Sequence, residues 1–174
     1  MHKYNWPLMS NNINESDKKA LIRFIKSTDK FTQGKNVKKF EEKWSKWLGV
    51  KYSTFVNSGA SANFLSLKIL KDIKKNRSEV ILPAFTWSSD VNAVINSGFK
   101  PVFVDINLTN LALDEELVKK NISKKTAAIF LTHAMGFLGI SKSLLDYIKK
   151  RNILLIEDVC ESHGIHLKGK KGGT

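Results

Sequence analysis

Several short polar or aromatic clusters stand where apolar runs of the chain end, and together they hold the residue types needed to bind a charged, planar ligand. Asn57-Ser58-Gly59-Ala60-Ser61 sets a glycine and two hydroxyls ahead of a helical stretch. Free backbone N–H groups at a helix start attract an anion, and small residues let it approach. The cluster has too few glycines for a dinucleotide fingerprint or a P-loop, so it reads as a cup for one phosphate, or simply as a helix cap. Pro83-Ala84-Phe85-Thr86-Trp87 offers an indole as a flat face for a ring, or as packing beneath a loop. Ile153-Leu154-Leu155-Ile156-Glu157-Asp158 runs from four large apolar residues into two carboxylates, as a buried strand does when it delivers an acid to a cleft. Asp158 can then pair with a protonated ring nitrogen, which keeps both groups charged, or cap the following turn. Asp105, His133 and Glu161 complete the set.

The scaffold implied by these positions is an alternation of strands and helices. Strands are expected near 53–56, 79–82, 101–104, 127–132 and 153–157, with helices near 60–71, 89–97, 114–120 and 141–151 between them. This pattern predicts a three-layer α/β/α fold with a mostly parallel sheet, whose ligands bind beyond the carboxyl ends of the strands. In the 60–71 helix, Ala62, Leu65, Ile69 and Leu70 are expected to face inwards. Ahead of the alternation, Ser16 is positioned to cap a helix from about Asp17 to Lys26 with Ala20, Leu21, Phe24 and Ile25 on its inner face. A loop over 28–34 leads to a second helix near 36–48, with Val37, Phe40, Trp44, Trp47 and Leu48 as one apolar stripe for a core or a subunit interface. The chain thus divides into an N-terminal helix and loop over 1–34 and a partial large domain over 35–174. Lys168-Gly169-Lys170-Lys171-Gly172-Gly173-Thr174 reads as a turn with no element after it, and the chain is expected to be the front part of something longer.

With 174 residues, 42% hydrophobic, three prolines and ten glycines, the composition is that of a globular protein and excludes collagen-like and disordered classes. No apolar run approaches a membrane span, and a cytoplasmic location is expected. The single cysteine, Cys160, agrees with a reducing compartment. A net charge of +13 invites comparison with nucleic-acid binders, but the lysines are distributed along the chain with no aromatic-and-basic platform, so no nucleic-acid partner is expected. His133, Cys160, His163 and His166 suit zinc by type, yet Cys160, His163 and His166 lie three apart without paired-ligand spacing, and no metal is expected. Cys160 as a nucleophile lacks an evident orienting partner.

A phosphate cup, a stacking aromatic and a buried aspartate in this order meet the needs of pyridoxal phosphate. With Gly34 to Glu41 as a G-x-x-V-x-x-F-E stretch, Pro101-Val102-Phe103-Val104-Asp105-Ile106, His133-Ala134-Met135-Gly136, and His163-Gly164, the chain resembles the DegT/StrS-type sugar aminotransferases from about Phe31 to Thr174. The resemblance implies the N-terminal part of an aspartate-aminotransferase-like large domain and pyridoxal or pyridoxamine 5'-phosphate as cofactor. It also implies amino transfer to a nucleotide-linked 4-keto-6-deoxysugar from a donor such as glutamate, in a homodimer. On the same basis Ser58, Gly59 and Ala60 hold the phosphate, Trp87 stacks on the ring, and Asp158 pairs with its nitrogen. Glu161 lies near the ring substituents, and Phe31, Thr32, Gln33 and Gly34 lie near the sugar. Two departures, Glu161 for the usual Gln and Trp87 for Phe or Tyr, resemble the keto-deoxysugar 3-dehydratase branch, in which histidine replaces the Schiff-base lysine. The residue that decides between the two reactions is expected beyond Thr174, and a non-catalytic remnant is the third reading.

Overall fold

The computed structural model describes residues 11–174, so the first ten positions of the predicted N-terminal segment lie outside the described residues. The chain forms two compact units that divide between Phe40 and Glu41.

The first unit is built on helix α1 (Glu15–Ser27) and the start of α2 (Lys35–Leu48). Asn14, and not Ser16, caps α1. Its extended backbone places the Oδ1 atom to accept from the Ser16 and Asp17 N–H groups at 2.8 and 3.2 Å, and Asp17 returns the favour by accepting the Asn14 N–H at 2.9 Å. This reciprocal box satisfies donors that a helix start leaves without partners, whereas Ser16 is already helical and its hydroxyl only donates back to Asn14. The expected inner face of α1 is not an inner face: Ala20, Leu21 and Ile25 are exposed, and Phe24 alone is half-buried, meeting Phe31 edge-on at 6.2 Å. The stripe has the right spacing, but among the described residues no layer of this unit covers it.

The second unit is organised on a four-stranded parallel sheet of β1 (Glu79–Pro83), β2 (Lys100–Val104), β5 (Thr126–Thr132) and β6 (Leu154–Asp158), in the order β2-β1-β5-β6. Helices α3 (Gly59–Ile73), α4 (Ser88–Asn96), α5 (Glu115–Asn121) and α6 (Lys142–Lys150) alternate with the strands. Two short antiparallel pairs join β3 (Ile106–Asn107) to β4 (Ala112–Leu113) and β7 (His166–Leu167) to β8 (Lys170–Lys171). The last pair gives a hairpin to the Lys168–Thr174 stretch that pattern alone left as a turn.

Strand alternation explains the layers. All seven residues of β5 are buried, as a strand covered on both faces requires. Val80, Leu82, Ala128 and Phe130 face a core with Leu67 and Leu70 of α3 and Ala93 and Val94 of α4. Ile81, Ile129 and Leu131 point the other way, into a core with Val118 of α5 and Leu144 and Ile148 of α6. The result is the expected three-layer α/β/α arrangement.

Two sequence expectations fail here. Residues 53–56 are not a strand; no strand of the described sheet pairs with them, and they are tied instead to α2 by Ser45 Oγ to Ser53 Oγ at 2.8 Å and by the Phe55 N–H to Glu41 at 2.8 Å. The inner face of α3 is Asn63, Leu67 and Leu70, so Leu70 alone of the expected residues is buried, and Ala62, Leu65 and Ile69 are not. Leu67 is 0% exposed and Ile69 is 59% exposed.

Denaturant unfolding tests that assignment. Leu67→Ala is expected to destabilise by about 2–5 kcal/mol, the cost of a buried cavity, and Ile69→Ala to stay within about 0.5 kcal/mol, as surface changes do. Gly139→Ala offers a second check, because an added Cβ would sit 2.8 Å from the Ala112 Cβ and 3.2 Å from Leu131 Cδ1. Overpacking of this kind costs about 1–3 kcal/mol in the same measurement.

Candidate functional site

The sheet order places a crevice. From β1 the chain moves outwards to β2 and then returns to the other side for β5 and β6, so the direction of winding reverses between β1 and β5. Loops leaving neighbouring strands at such a point diverge, and ligands of open α/β sheets bind there. The loop after β1 carries Thr86 and Trp87, β5 ends at Thr132 and His133, and β6 ends at Asp158. The Thr86 and Thr132 hydroxyls meet at 2.7 Å across this gap.

Asn63 brings α3 to the same place. From the second turn of α3, its Nδ2 atom donates to Asp158 Oδ2 at 2.9 Å and to Asp90 Oδ1 at 2.8 Å. The start of α3 is therefore held beside the end of β6, although 95 residues separate the two partners. Ser58 caps the helix through its Oγ, which accepts the Ser61 N–H at 3.2 Å. Among the described residues the Gly59 and Ala60 N–H groups have no acceptor, and the space where a Gly59 Cβ would stand is open. These are the properties of an anion cup at a helix start.

Trp87 and Asp158 converge on Cys160. Asp158 Oδ1 accepts the Cys160 N–H at 3.0 Å, and both side chains act on the thiol, Asp158 raising its pKa and Trp87 lowering it. Cys160 is exposed, yet desolvation first, and then Asp158, push the thiol up to about 11. A thiol held protonated in this way is a poor nucleophile, which argues against cysteine catalysis here. Trp87 is 49% exposed.

Glu161 also reaches this edge, accepting the Met135 N–H through Oε2 at 2.9 Å. Ser162 reinforces the clamp by donating to the His133 carbonyl at 2.6 Å and accepting the Gly136 N–H at 3.0 Å. Met135 is thereby held at φ 53° in the left-handed region. His133, 0% exposed, accepts the Gly139 N–H on Nδ1 at 3.0 Å, so the hydrogen-bond pattern assigns its proton to Nε2, which donates to Glu157 at 2.8 Å. Glu157 Oε2 accepts the Gly173 N–H at 3.0 Å.

Other sequence candidates fall elsewhere. Asp105 caps its own neighbour, Ile106, at 2.8 Å at the end of edge strand β2. His163 packs edge-on against Trp44 at 5.5 Å, and His166 is exposed on β7. Among the described residues no group of three or more His, Cys, Asp or Glu side chains is arranged to hold a metal. Phe31, Thr32, Gln33 and Gly34 belong to the first unit, where Phe31 and Gly34 line a cavity of about 290 Å³ with Phe24 and Lys35. Asn63 and Asp90 went unnoticed in the sequence, where both look like ordinary polar residues near helix starts.

The parts gathered in the second unit fit pyridoxal phosphate: unpaired amides for a phosphate, a flat exposed indole, and a carboxylate oriented by two N–H donors. Comparison with known proteins agrees with this. The first of the relatives considered is a GDP-4-keto-6-deoxy-D-mannose 3-dehydratase from Yersinia pseudotuberculosis, 35% identical over 98% of this chain and 44% of its own length. A GDP-perosamine synthase from Vibrio cholerae is 33% identical over 97% of this chain and 45% of its own. The solved structure of the Escherichia coli GDP-4-keto-6-deoxy-D-mannose-3-dehydratase with bound hydrated PLP superposes with a TM-score of 0.89 at 33% identity, over 98% of this chain and 44% of that one. The chain thus spans less than half the length of these relatives. No helix among the described residues is long and apolar enough to cross a membrane. Residues 11–174 match one family along their whole length, and the chain belongs to the DegT/DnrJ/EryC1/StrS aminotransferase family.

Proposed function

We propose that this chain forms the cofactor-holding part of a pyridoxal-phosphate-dependent enzyme that transfers an amino group from a donor such as glutamate to a nucleotide-linked 4-keto-6-deoxysugar. The observation that carries this reading is the Asn63–Asp158 bond, which sets the α3 anion cup and the acid at the end of β6 into one site. When bound, pyridoxal phosphate supplies an electron sink that stabilises negative charge on the carbon being transformed. The protein's part is to hold and orient. Ser58, Gly59 and Ala60 receive the phosphate on hydroxyl and backbone N–H groups, where the helix dipole adds to the attraction. Trp87 covers one face of the ring and limits water there. Asp158 holds the proton on the ring nitrogen, and a charge-assisted bond of this kind keeps that nitrogen positive.

Glu161 favours 3-dehydration as a second reading. Its Oε2 accepts the Met135 N–H at 2.9 Å, which holds the carboxylate beside the loop that follows β5. Removal of a 3-hydroxyl needs proton delivery to the leaving oxygen, and the Yersinia relative is named for that reaction. The sugar-facing role stays with Phe31, Thr32, Gln33 and Gly34, and the functional unit is a homodimer in the cytoplasm.

Titration of the purified chain with pyridoxal 5'-phosphate, followed by tryptophan fluorescence, tests cofactor binding. Saturable quenching is expected, weaker by about 10–100-fold in Asp158→Ala, as loss of a charged hydrogen bond of about 1.5–3 kcal/mol predicts. Equal affinity of wild type and variant would remove Asp158 from the ring-nitrogen role. Among the side chains gathered at the site none is a lysine, so the chain assayed by itself with glutamate and GDP-4-keto-6-deoxymannose is expected to form no amino sugar. Amino-sugar product detected by mass spectrometry would overturn that expectation.

A further inference from the structure

Behind the candidate site lies a titratable group that cofactor binding does not use. Asp90, in the first turn of α4, is 0% exposed. The groups that face it are the Asn63 amide from α3, the Thr86 hydroxyl from the loop after β1, the Thr132 hydroxyl from β5 and the Ser89 hydroxyl of its own helix. None of these is a cation. The charged group turned towards it is Asp158 on β6, which has the same sign. Burial without a counter-ion disfavours the ionised form of a carboxyl.

The hydrogen-bond geometry counts the protons. Asp90 Oδ2 lies 2.7 Å from Thr86 Oγ1 and 2.9 Å from Thr132 Oγ1, and the two hydroxyl oxygens lie 2.7 Å from each other. Three oxygens therefore make three mutual contacts of hydrogen-bond length. Each threonine hydroxyl carries one hydrogen, so the pair supplies two protons for three contacts. With Asp90 ionised, one contact sets two lone-pair-bearing oxygens against each other in a buried place. A proton on Asp90 Oδ2 fills that contact and lets the bonds run head to tail around the ring. Asp90 Oδ1 is then a carbonyl oxygen, and it accepts one hydrogen of the Asn63 amide, whose other hydrogen goes to Asp158.

We propose that Asp90 is a protonated, neutral acid that closes a three-oxygen hydrogen-bond ring with Thr86 and Thr132 and, through Asn63, positions Asp158 for the ligand. Asp90 is a positioning residue: it touches no cofactor atom and acts through the Asn63 amide. Desolvation raises its carboxyl above the ordinary value and the Asp158 charge raises it further, while the Thr86 and Thr132 bonds pull the other way without reversing the shift. A neutral Asp90 also leaves a single carboxylate on the amide bridge, so no like charge competes for it. The positioning role rests on the reading of Asp158 as the ring-nitrogen partner; the proton on Asp90 does not.

Infrared difference spectroscopy of the purified chain, wild type minus Asp90→Asn, reads the proton directly. At a pH where ordinary carboxyls, with values near 4, are ionised, wild type is expected to show the C=O band of a protonated carboxylic acid that the variant lacks. Absence of that band overturns the proposal. Asp90→Asn is isosteric, permanently neutral and able to donate to both threonines, so it is expected to fold; its failure to fold while wild type melts cooperatively also overturns the proposal. Linkage gives a second readout. A carboxyl raised in the fold contributes its stability fully below the unfolded value and loses it as pH rises through the folded value. The melting-temperature difference between wild type and Asp90→Asn is therefore expected to fall as pH rises above about 4, and a difference that grows with pH overturns the proposal. For the positioning role, Asp90→Ala is expected to weaken pyridoxal 5'-phosphate binding at least about tenfold, with Asp90→Asn restoring it. The band present in a wild type that binds no cofactor sinks the cofactor reading and the positioning role while leaving the proton on Asp90 standing. Cofactor binding without the band sinks the proton.

Discussion

One side-chain amide, that of Asn63, holds the candidate site together. It has two hydrogens and gives one to each of two acidic side chains, Asp90 on α4 and Asp158 on β6. Asp90 is fully buried and Asp158 partly so, and a lost partner is most expensive at Asp90, because an unpaired polar group away from water pays its full desolvation penalty. The bond therefore constrains α3 more tightly than apolar packing alone would. Leu67 and Leu70 fix how deep α3 sits on the sheet, and Asn63, four residues before Leu67, fixes its rotation. Once depth and rotation are set, the first turn of α3 has one place to go, beside the ends of β1, β5 and β6. The unpaired amides of Gly59 and Ala60 are carried there as a consequence.

The same constraint explains which apolar residues of α3 were misread from the sequence. Ala62, Leu65 and Ile69 recur three and four residues apart and look like the buried stripe of an amphipathic helix. The stripe that packs is Asn63, Leu67 and Leu70, which contains a polar residue and so scores worse by hydrophobicity. Periodicity locates a stripe, but it cannot recognise that an asparagine has acidic partners 27 and 95 residues away. By contrast β5 was plain in the sequence, since Thr126-Ala127-Ala128-Ile129-Phe130-Leu131-Thr132 is apolar almost throughout and a strand buried on both faces needs nothing else. Residues 53–56 have the composition of a strand, yet a strand exists only with a partner, and composition does not report partners.

For the site, residue types were legible and their cooperation was not. Ser58 to Ala60, Trp87 and Asp158 stood out because each follows an apolar run, and the structure gathers them at the ends of the strands. Asp90 had no such signal: an acidic residue in the first turn of a helix is ordinarily a surface group answering the helix dipole. Here it is buried, and the hydroxyls of Thr86 and Thr132 that enclose it come from two other elements. Met135 is a similar case, since its left-handed backbone is set by bonds from Glu161 and Ser162, residues far along the chain.

Glu157 and Asp158 show how one strand serves two networks. Successive residues of a strand point to opposite faces, so adjacent carboxylates cannot share a partner. Asp158 turns to α3 and joins Asn63, Cys160 and the crevice. Glu157 turns away, to the buried His133 and the Gly173 N–H, and so ties the end of β5 to the turn after β8. The register of β6 against β5, Leu131 opposite Glu157 and Thr132 opposite Asp158, is what assigns these roles. A slip of one residue would present Glu157 to Asn63 and turn Asp158 towards His133. The longer side chain would then crowd the amide bridge and the shorter one would fall short of the imidazole. Ile153, Leu155 and Ile156, which pack against the two cores while Leu154 is exposed, therefore do more than fill space: by fixing which face each position takes, they decide which carboxylate reaches the site.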